Sequence, residues 1–290
     1  QGIKIVSTVS LETLLRLAKA ERPDGTGAVP DIFSLRRLDL FSYNEFLSFT
    51  HKPAGEQAVN EFLSRGAFPG LIKTGHTEAL HQLYTEILCK DAVIAGGIRD
   101  RNTLQRMALH LITNTGEPVT ANKLREKLKI KAVSTAAEHM QCIETAGLVR
   151  FVSILSDNPA RQAVNPRKVY AVDTALAAAV STAETVDRNK LFETMLFNHL
   201  CRESRSVCYT NEQGGCDFIA SDAEGGVRCI QACYDDDPDL MQTKTDGLLW
   251  ALRQTGASRG TIVTADRNDR IDAENFEIEV IDADTFLGGY

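Results

Sequence analysis

No apolar run in the chain approaches the roughly 18 residues a membrane-crossing helix needs, and no amino-terminal stretch reads as a secretory leader. The seven cysteines are odd in number and fall into no regular framework. That pattern argues against a disulfide scaffold and suits a reducing cytoplasm. No Cys-x-x-Cys pair occurs, so zinc-knuckle spacing is lacking, and Cys201, Cys208, Cys216, Cys229 and Cys233 read as small buried thiols. A Gly-x-x-x-x-Gly-Lys-Ser/Thr stretch is also missing, which removes the phosphate cradle of a P-loop ATPase. Internal repeats and low-complexity tracts are lacking too.

What is present is ordinary in bulk and uneven in charge. A length of 290 residues with 43% hydrophobic and 24% charged residues suggests two or three domains with ample core. The net charge of -7 hides a strong polarity. Between Arg99 and Lys131, eight Lys/Arg face three acids, a local +5, whereas between Glu212 and Tyr290 seventeen acids face six Lys/Arg, a local -11. A phosphate backbone would be attracted by the middle and repelled by the end. The start at Gln1-Gly2 reads as a cleaved-tag remnant, which makes a fragment the expectation.

Periodicity then places elements. Ile3–Val6 and Asp31–Leu35 read as strands and Leu11–Lys19 as a helix. Ser42 with Glu45 three residues on marks a capped helix start, and His51–Ala95 reads as helical with a break at Gly66–Gly70. The clearest unit follows. A helix over Arg101–Asn114 precedes a short one over Ala121–Leu128 with Thr120 as its cap. A tight turn, Lys129-Ile130-Lys131, leads to a third helix over Ala132–Thr145 that Gly147 ends. Strands at Leu148–Leu155 and Lys168–Val172 complete the pattern of a winged helix-turn-helix. Downstream, a helix over Lys190–Cys201 carries Glu193, and Asp217 opens a strand after Gly214-Gly215. A second strand runs from Val227 to Cys233, with a helix at Thr243–Gln254 and strands at Gly260–Thr264 and Phe276–Ile281 beyond. The Asp235–Asp239 run reads as a solvated loop.

Helix-Glu, strand-Asp, turn, strand is the layout of the PD-(D/E)XK nuclease core, which residues 183–290 resemble. There, carboxylates hold Mg²⁺ and a lysine helps activate water. Here Gln231 and Cys233 stand where the Glu and Lys should be, so Glu193, Asp217, Gln231 and Cys233 are expected to be vestigial positions without catalysis. Gln is neutral and a poor ligand for a hard cation. Lys244 could replace the lost lysine, but the plainer reading makes it an ordinary surface residue.

Four stretches extend the resemblance. They are Ile3–Leu15, Leu40-Phe41-Ser42-Tyr43-Asn44-Glu45-Phe46-Leu47, Phe62-Leu63-Ser64-Arg65-Gly66-Ala67-Phe68-Pro69, and Lys168-Val169-Tyr170-Ala171-Val172-Asp173. In this order they are similar to prokaryotic AAA+-type ATPases that join a P-loop module, a winged helix and a PD-(D/E)XK-like C-terminal domain. The resemblance implies a mixed α/β (α+β) chain divided into an ATPase remnant (1–50), a helical connector (51–98), a winged helix-turn-helix (99–182) and a restriction-endonuclease-like α/β domain (183–290). ATP and Mg²⁺ would belong to the full-length parent, with no cofactor or metal in this chain. The missing P-loop lies upstream or has been lost.

Three functions follow from these features. The first is double-stranded DNA association, with Arg125, Lys127, Lys129 and Lys131 on phosphates and Ser134, Thr135 and His139 facing outward on the third helix. That helix has no Lys or Arg between Lys131 and Arg150, which disfavours sequence-specific readout. The second is docking on the protein's own ATPase module or another protein. The third is a residual Mg²⁺-dependent nuclease.

Overall fold

The computed structural model describes residues 38–289 except 75–76, 96–97, 99, 157, 159–161, 163–164, 182–185, 213, 236 and 274. The expected elements at Ile3–Val6, Leu11–Lys19 and Asp31–Leu35 lie outside the described residues. The described chain is mixed α and β, with a three-stranded and a six-stranded sheet.

Helices come first. In α1 (Tyr43–Thr50), Ser42 closes a capping box: the Glu45 N–H donates to the Ser42 hydroxyl and the Ser42 N–H donates to the Glu45 carboxylate. Then come α2 (Glu56–Arg65), α3 (Pro69–Thr74), α4 (Thr77–Ile87) and a π-helical stretch, Leu88–Ala95. Between α2 and α3, Gly66 has φ 72°, and a Cβ there would overlap the Asp173 carboxylate. Only glycine fits that approach.

The next unit runs α5 (Arg101–Thr113), β1 (Pro118–Val119), α6 (Ala121–Leu128), α7 (Val133–Thr145), β2 (Val149–Val152), β3 (Arg167–Ala171). Thr120 caps α6 through the Lys123 N–H, and Lys129 ends it in the left-handed region at φ 57°. Ile130 is buried between two exposed lysines, which fixes the turn. Gly147, at φ 77°, follows α7. The sheet has three strands in the order β1-β3-β2, not the expected two, because Pro118–Val119 is too short to show a period-2 pattern.

After α8 (Thr174–Val180) and α9 (Arg188–Glu203), the chain forms β4 (Ser206–Thr210), β5 (Cys216–Ser221), β6 (Val227–Cys233), α10 (Pro238–Thr255), β7 (Arg259–Thr264), β8 (Asp269–Ala273), β9 (Phe276–Asp282) and α11 (Ala283–Gly288). The sheet order is β4-β5-β6-β7-β9-β8, with parallel pairing for β6–β7 and β7–β9 and antiparallel pairing elsewhere. α10 begins five residues before the expected Thr243. Asp237 caps it through the Asp239 N–H and Pro238 sits at its first turn, so the Asp-rich run is partly a helix start. β8 went unread because its alternation is charged, as suits an exposed edge strand.

One apolar core links Phe46, Leu104, Leu111, Tyr170, Phe197, Phe218 and Leu287, and so crosses from the first helices to the last. A smaller one lies between α10 and the six-stranded sheet, around Ile219, Leu248, Leu252, Ile262 and Ile278.

Candidate functional site

Two sets of side chains stand out: an exposed cationic ridge and a buried charge cluster. The ridge is built by α6 and its turn. Leu124 and Leu128 bury one face of the helix, and Lys123 and Lys127, four residues apart, share an exposed face beside it. Lys129 and Lys131 continue the ridge past the helix end, and all four lysines are exposed and in no ion pair among the described residues. Arg125 differs: it pairs with Glu126 at 3.0 Å and donates to Asn122. On α7, Ser134 is exposed and Thr135 half-buried. The outward stripe of α7 is Ser134, Ala137, Glu138 and Gln141.

His139 is not part of it. The expected outward His139 is 3% exposed and packs in the stripe of Ala136, Met140 and Ile143. Its spacing from Ala136 and Ile143, three before and four after, already put it on the apolar face. Burial lowers its pKa, with Asp100 and Glu138 opposing, and its Nδ1 has no hydrogen-bond partner among the described residues.

The charge cluster gathers around Glu193 and Asp217. Glu193 projects from α9 and Asp217 from β5. Period-2 geometry puts Lys168 and Tyr170 on one face of β3, and both reach Glu193. Lys168 Nζ lies 2.8 Å from Glu193 Oε1 and 3.1 Å from Asp217 Oδ1, while the Tyr170 hydroxyl donates to Glu193 Oε1 at 2.6 Å. Lys244 on α10, expected at the surface, instead places Nζ 2.5 Å from Asp217 Oδ2. Its side chain is only 18% exposed, because α10 presses against the turn before β5, where a Cβ on Gly247 would overlap the Gly215 carbonyl. The Ala232 N–H also donates to Asp217 Oδ2.

For Lys168, Lys244 and Asp217, burial works against the charge and the opposite charges override it. Lys168 is held above its ordinary range by Asp217 and Glu193, Lys244 likewise by the two carboxylates, and Asp217 below its range by Lys244 and Lys168. Tyr170 is pushed well up by burial and by Glu193. Lys168, Lys244 and Asp217 are thus held in their charged forms and Tyr170 in its neutral form.

Gln231 is fully buried and has every polar group engaged. Its carbonyl accepts from the Asp217 N–H at 3.0 Å, and its amide donates to the carbonyls of Gly215 and Lys244. Cys233 is buried with its thiol toward the Asp235 carbonyl. Such a donor set does not fit Mg²⁺. The two carboxylates are already bound to ammonium groups, and the third position offers an amide oxygen committed to backbone.

The hairpin of β2 and β3 is tied to the six-stranded sheet at further points. Ile154, just past β2, forms a parallel bridge with Tyr209 of β4, and the Leu155 N–H donates to the Tyr209 carbonyl at 2.7 Å. The Tyr209 hydroxyl donates to the Pro166 carbonyl at 2.6 Å. Tyr170 stacks on Phe197 of α9 with centroids 4.2 Å apart.

Other features are quieter. The Asp173 carboxylate accepts from the Ala67 and Leu176 N–H groups, and so holds two of the motif stretches together. No disulfide links the seven cysteines, and no cluster of three metal-ligating side chains occurs among the described residues. Gly256-Ala257-Ser258-Arg259-Gly260 has the Gly-x-Ser-x-Gly spelling of a hydrolase elbow. It leads from α10 into β7, helix to strand, the reverse of the strand-to-helix turn that exposes a nucleophile. No described helix is long and apolar enough to cross a membrane.

Residues 56–187 match a family model described as "Domain of unknown function (DUF8612)". The match starts at α2, takes in the ridge and Lys168, and ends just before α9. No curated protein and no solved structure shows a significant match to the chain.

Proposed function

We propose that this chain is a non-catalytic, DNA-associating region of an AAA+-like ATPase, acting in the cytoplasm. The α5–β3 unit is read as a winged helix-turn-helix and the α9–α11 unit as a nuclease-like domain that has lost its chemistry. ATP and Mg²⁺ belong to the ATPase module of the parent protein. The observation that carries the reading is the row Lys123, Lys127, Lys129 and Lys131, exposed and in no ion pair among the described residues. Surface lysines without acidic partners suit phosphate contacts, which supply most non-specific DNA affinity. The outward stripe of α7, with Glu138 and no cation, suits binding with little base readout. The charge cluster supports the non-catalytic half, since its ammonium groups occupy the carboxylates a metal would need.

The test is duplex binding by the unmodified chain and by Lys129→Glu/Lys131→Glu. The double variant should bind at least tenfold more weakly with an unchanged melting temperature. Equal binding by the two proteins would remove the ridge from the account and leave a docking role for this face.

A further inference from the structure

A cavity of about 240 Å³ lies where the first helices, β2, α9 and α11 converge. Three of the four stretches singled out in the sequence meet on its wall: Leu40–Tyr43, Phe62 with Gly66–Phe68, and Val172–Asp173. It shares no residue with the α6 ridge or with the charge cluster. Phe41, Phe62, Phe68, Met195 and Leu287 make most of the wall apolar.

The ionisable groups on the wall are committed to partners, with one exception. The Asp173 carboxylate accepts from the Ala67 and Leu176 N–H groups, and the Tyr43 hydroxyl donates to Asp284 Oδ1. Arg202 is bound by Glu45 and by the Leu40 carbonyl, and His199 lies 3.3 Å from Glu203. Arg150 on β2 is the exception. Its side chain is only 23% exposed, yet its guanidinium makes a single long contact among the described residues, 3.4 Å to Asp39. A mostly buried guanidinium with most of its fork of N–H donors unspent suits a carboxylate, which it can hold through two parallel hydrogen bonds.

We propose that this cavity binds a small organic acid, with the hydrocarbon body against the phenylalanines, Met195 and Leu287 and the carboxylate on Arg150. The volume falls between the roughly 150 Å³ of a benzene-binding cavity and the roughly 300 Å³ at which pockets for drug-sized ligands begin. That size suits an acid of about eight carbons, as a chain or as one ring on a short chain. The site goes beyond the DNA-associating reading and does not depend on it.

The probes are octanoate and 3-phenylpropanoate, each compared with its alcohol, octanol or 3-phenylpropanol. They are titrated at pH 7.5 into the full chain carrying ¹³C-methyl methionine. Both acids should move the Met195 resonance to saturation with a Kd below about 1 mM. The resonance of Met107, which is buried and not on the wall, should stay in place. Each alcohol should bind at least tenfold more weakly than its acid. Arg150→Gln should weaken acid binding at least tenfold and leave alcohol binding within twofold. Arg150→Lys keeps the charge and loses the fork. It replaces the first variant if that one fails to fold, as judged by near-ultraviolet circular dichroism, and should weaken acid binding at least threefold. Met195 unmoved at 10 mM acid, equal affinity for acid and alcohol, or acid binding unchanged in the folded Arg150 variant would each overturn the proposal.

Discussion

The Lys168 ammonium lies 3.1 Å from the Asp217 carboxylate, and this single contact joins a strand of the first sheet to a strand of the second. Both side chains are mostly out of solvent, at 14% and 9% exposure. Removing Lys168 leaves Asp217 with Lys244 but Glu193 with only the Tyr170 hydroxyl, so one buried carboxylate loses its cation. Lys168→Met should therefore cost about 3 kcal/mol of unfolding free energy in urea titrations. A loss under about 1 kcal/mol would show that the contact resembles an ordinary surface pair.

Acid should act on the same cluster. The folded Asp217 carboxyl is held below its ordinary range, so it stabilises the fold fully above the unfolded value of about 4. That stabilisation is lost as pH falls through the folded value. His110, His139 and His199 have lowered pKa values through burial, so the folded state binds fewer protons than the unfolded one. Their contribution is complete above about pH 6.5 and declines below it. The histidines should lower the melting temperature between pH 7 and pH 5, and His139→Leu should reduce that loss. A pH profile left unchanged by His139→Leu would contradict the burial argument, since Asp173 opposes the histidines in this window.

Gln231→Glu restores the residue of the resembled nuclease motif, yet it should not restore cleavage. The new carboxylate could still accept from the Asp217 N–H, but it would face the Gly215 and Lys244 carbonyls that now accept from the amide. Two buried acceptors would lose their donor, a penalty on the order of 2–4 kcal/mol. The variant should melt lower and leave supercoiled plasmid intact with 10 mM Mg²⁺. Mg²⁺-dependent nicking that Asp217→Asn abolishes would overturn the non-catalytic reading.

Gly66→Ala tests the join between the first helices and the rest. The added methyl would meet the Asp173 carboxylate, which bonds the Ala67 N–H at 2.6 Å and caps α8. A destabilisation of roughly 2–4 kcal/mol is expected from overpacking combined with the positive φ. Burial raises the pKa of Asp173 to about 6, so its protonated form is favoured by folding. Its contribution is greatest below about pH 4 and is lost as pH rises through about 6.

The parts of this fold written in local chemistry were legible without the structure. Thr120 and the Lys129 turn bounded α6, Ser42 and Glu45 marked the start of α1, and Val227–Cys233 emerged with its ends correct. The positions of Glu193 on a helix and Asp217 on a strand were legible for the same reason. What could not be read was which charges meet. Lys168 lies 49 residues from Asp217 and Lys244 lies 27 away, and no spacing rule connects positions that only the packing of two sheets and α10 brings together. β8 escaped because an edge strand carries charge where a central strand carries Val or Ile. His139 was a misreading of available signal, since its place on the apolar stripe outweighed its polarity.

The most direct test is fluorescence anisotropy of the unmodified chain with labelled duplex DNA at 50 and 200 mM salt. Four ridge lysines on phosphates predict a log–log slope of about -3 to -4, and so roughly a hundredfold loss of affinity between the two conditions. No binding at 50 mM salt would contradict the account and leave the ridge as a surface for protein partners.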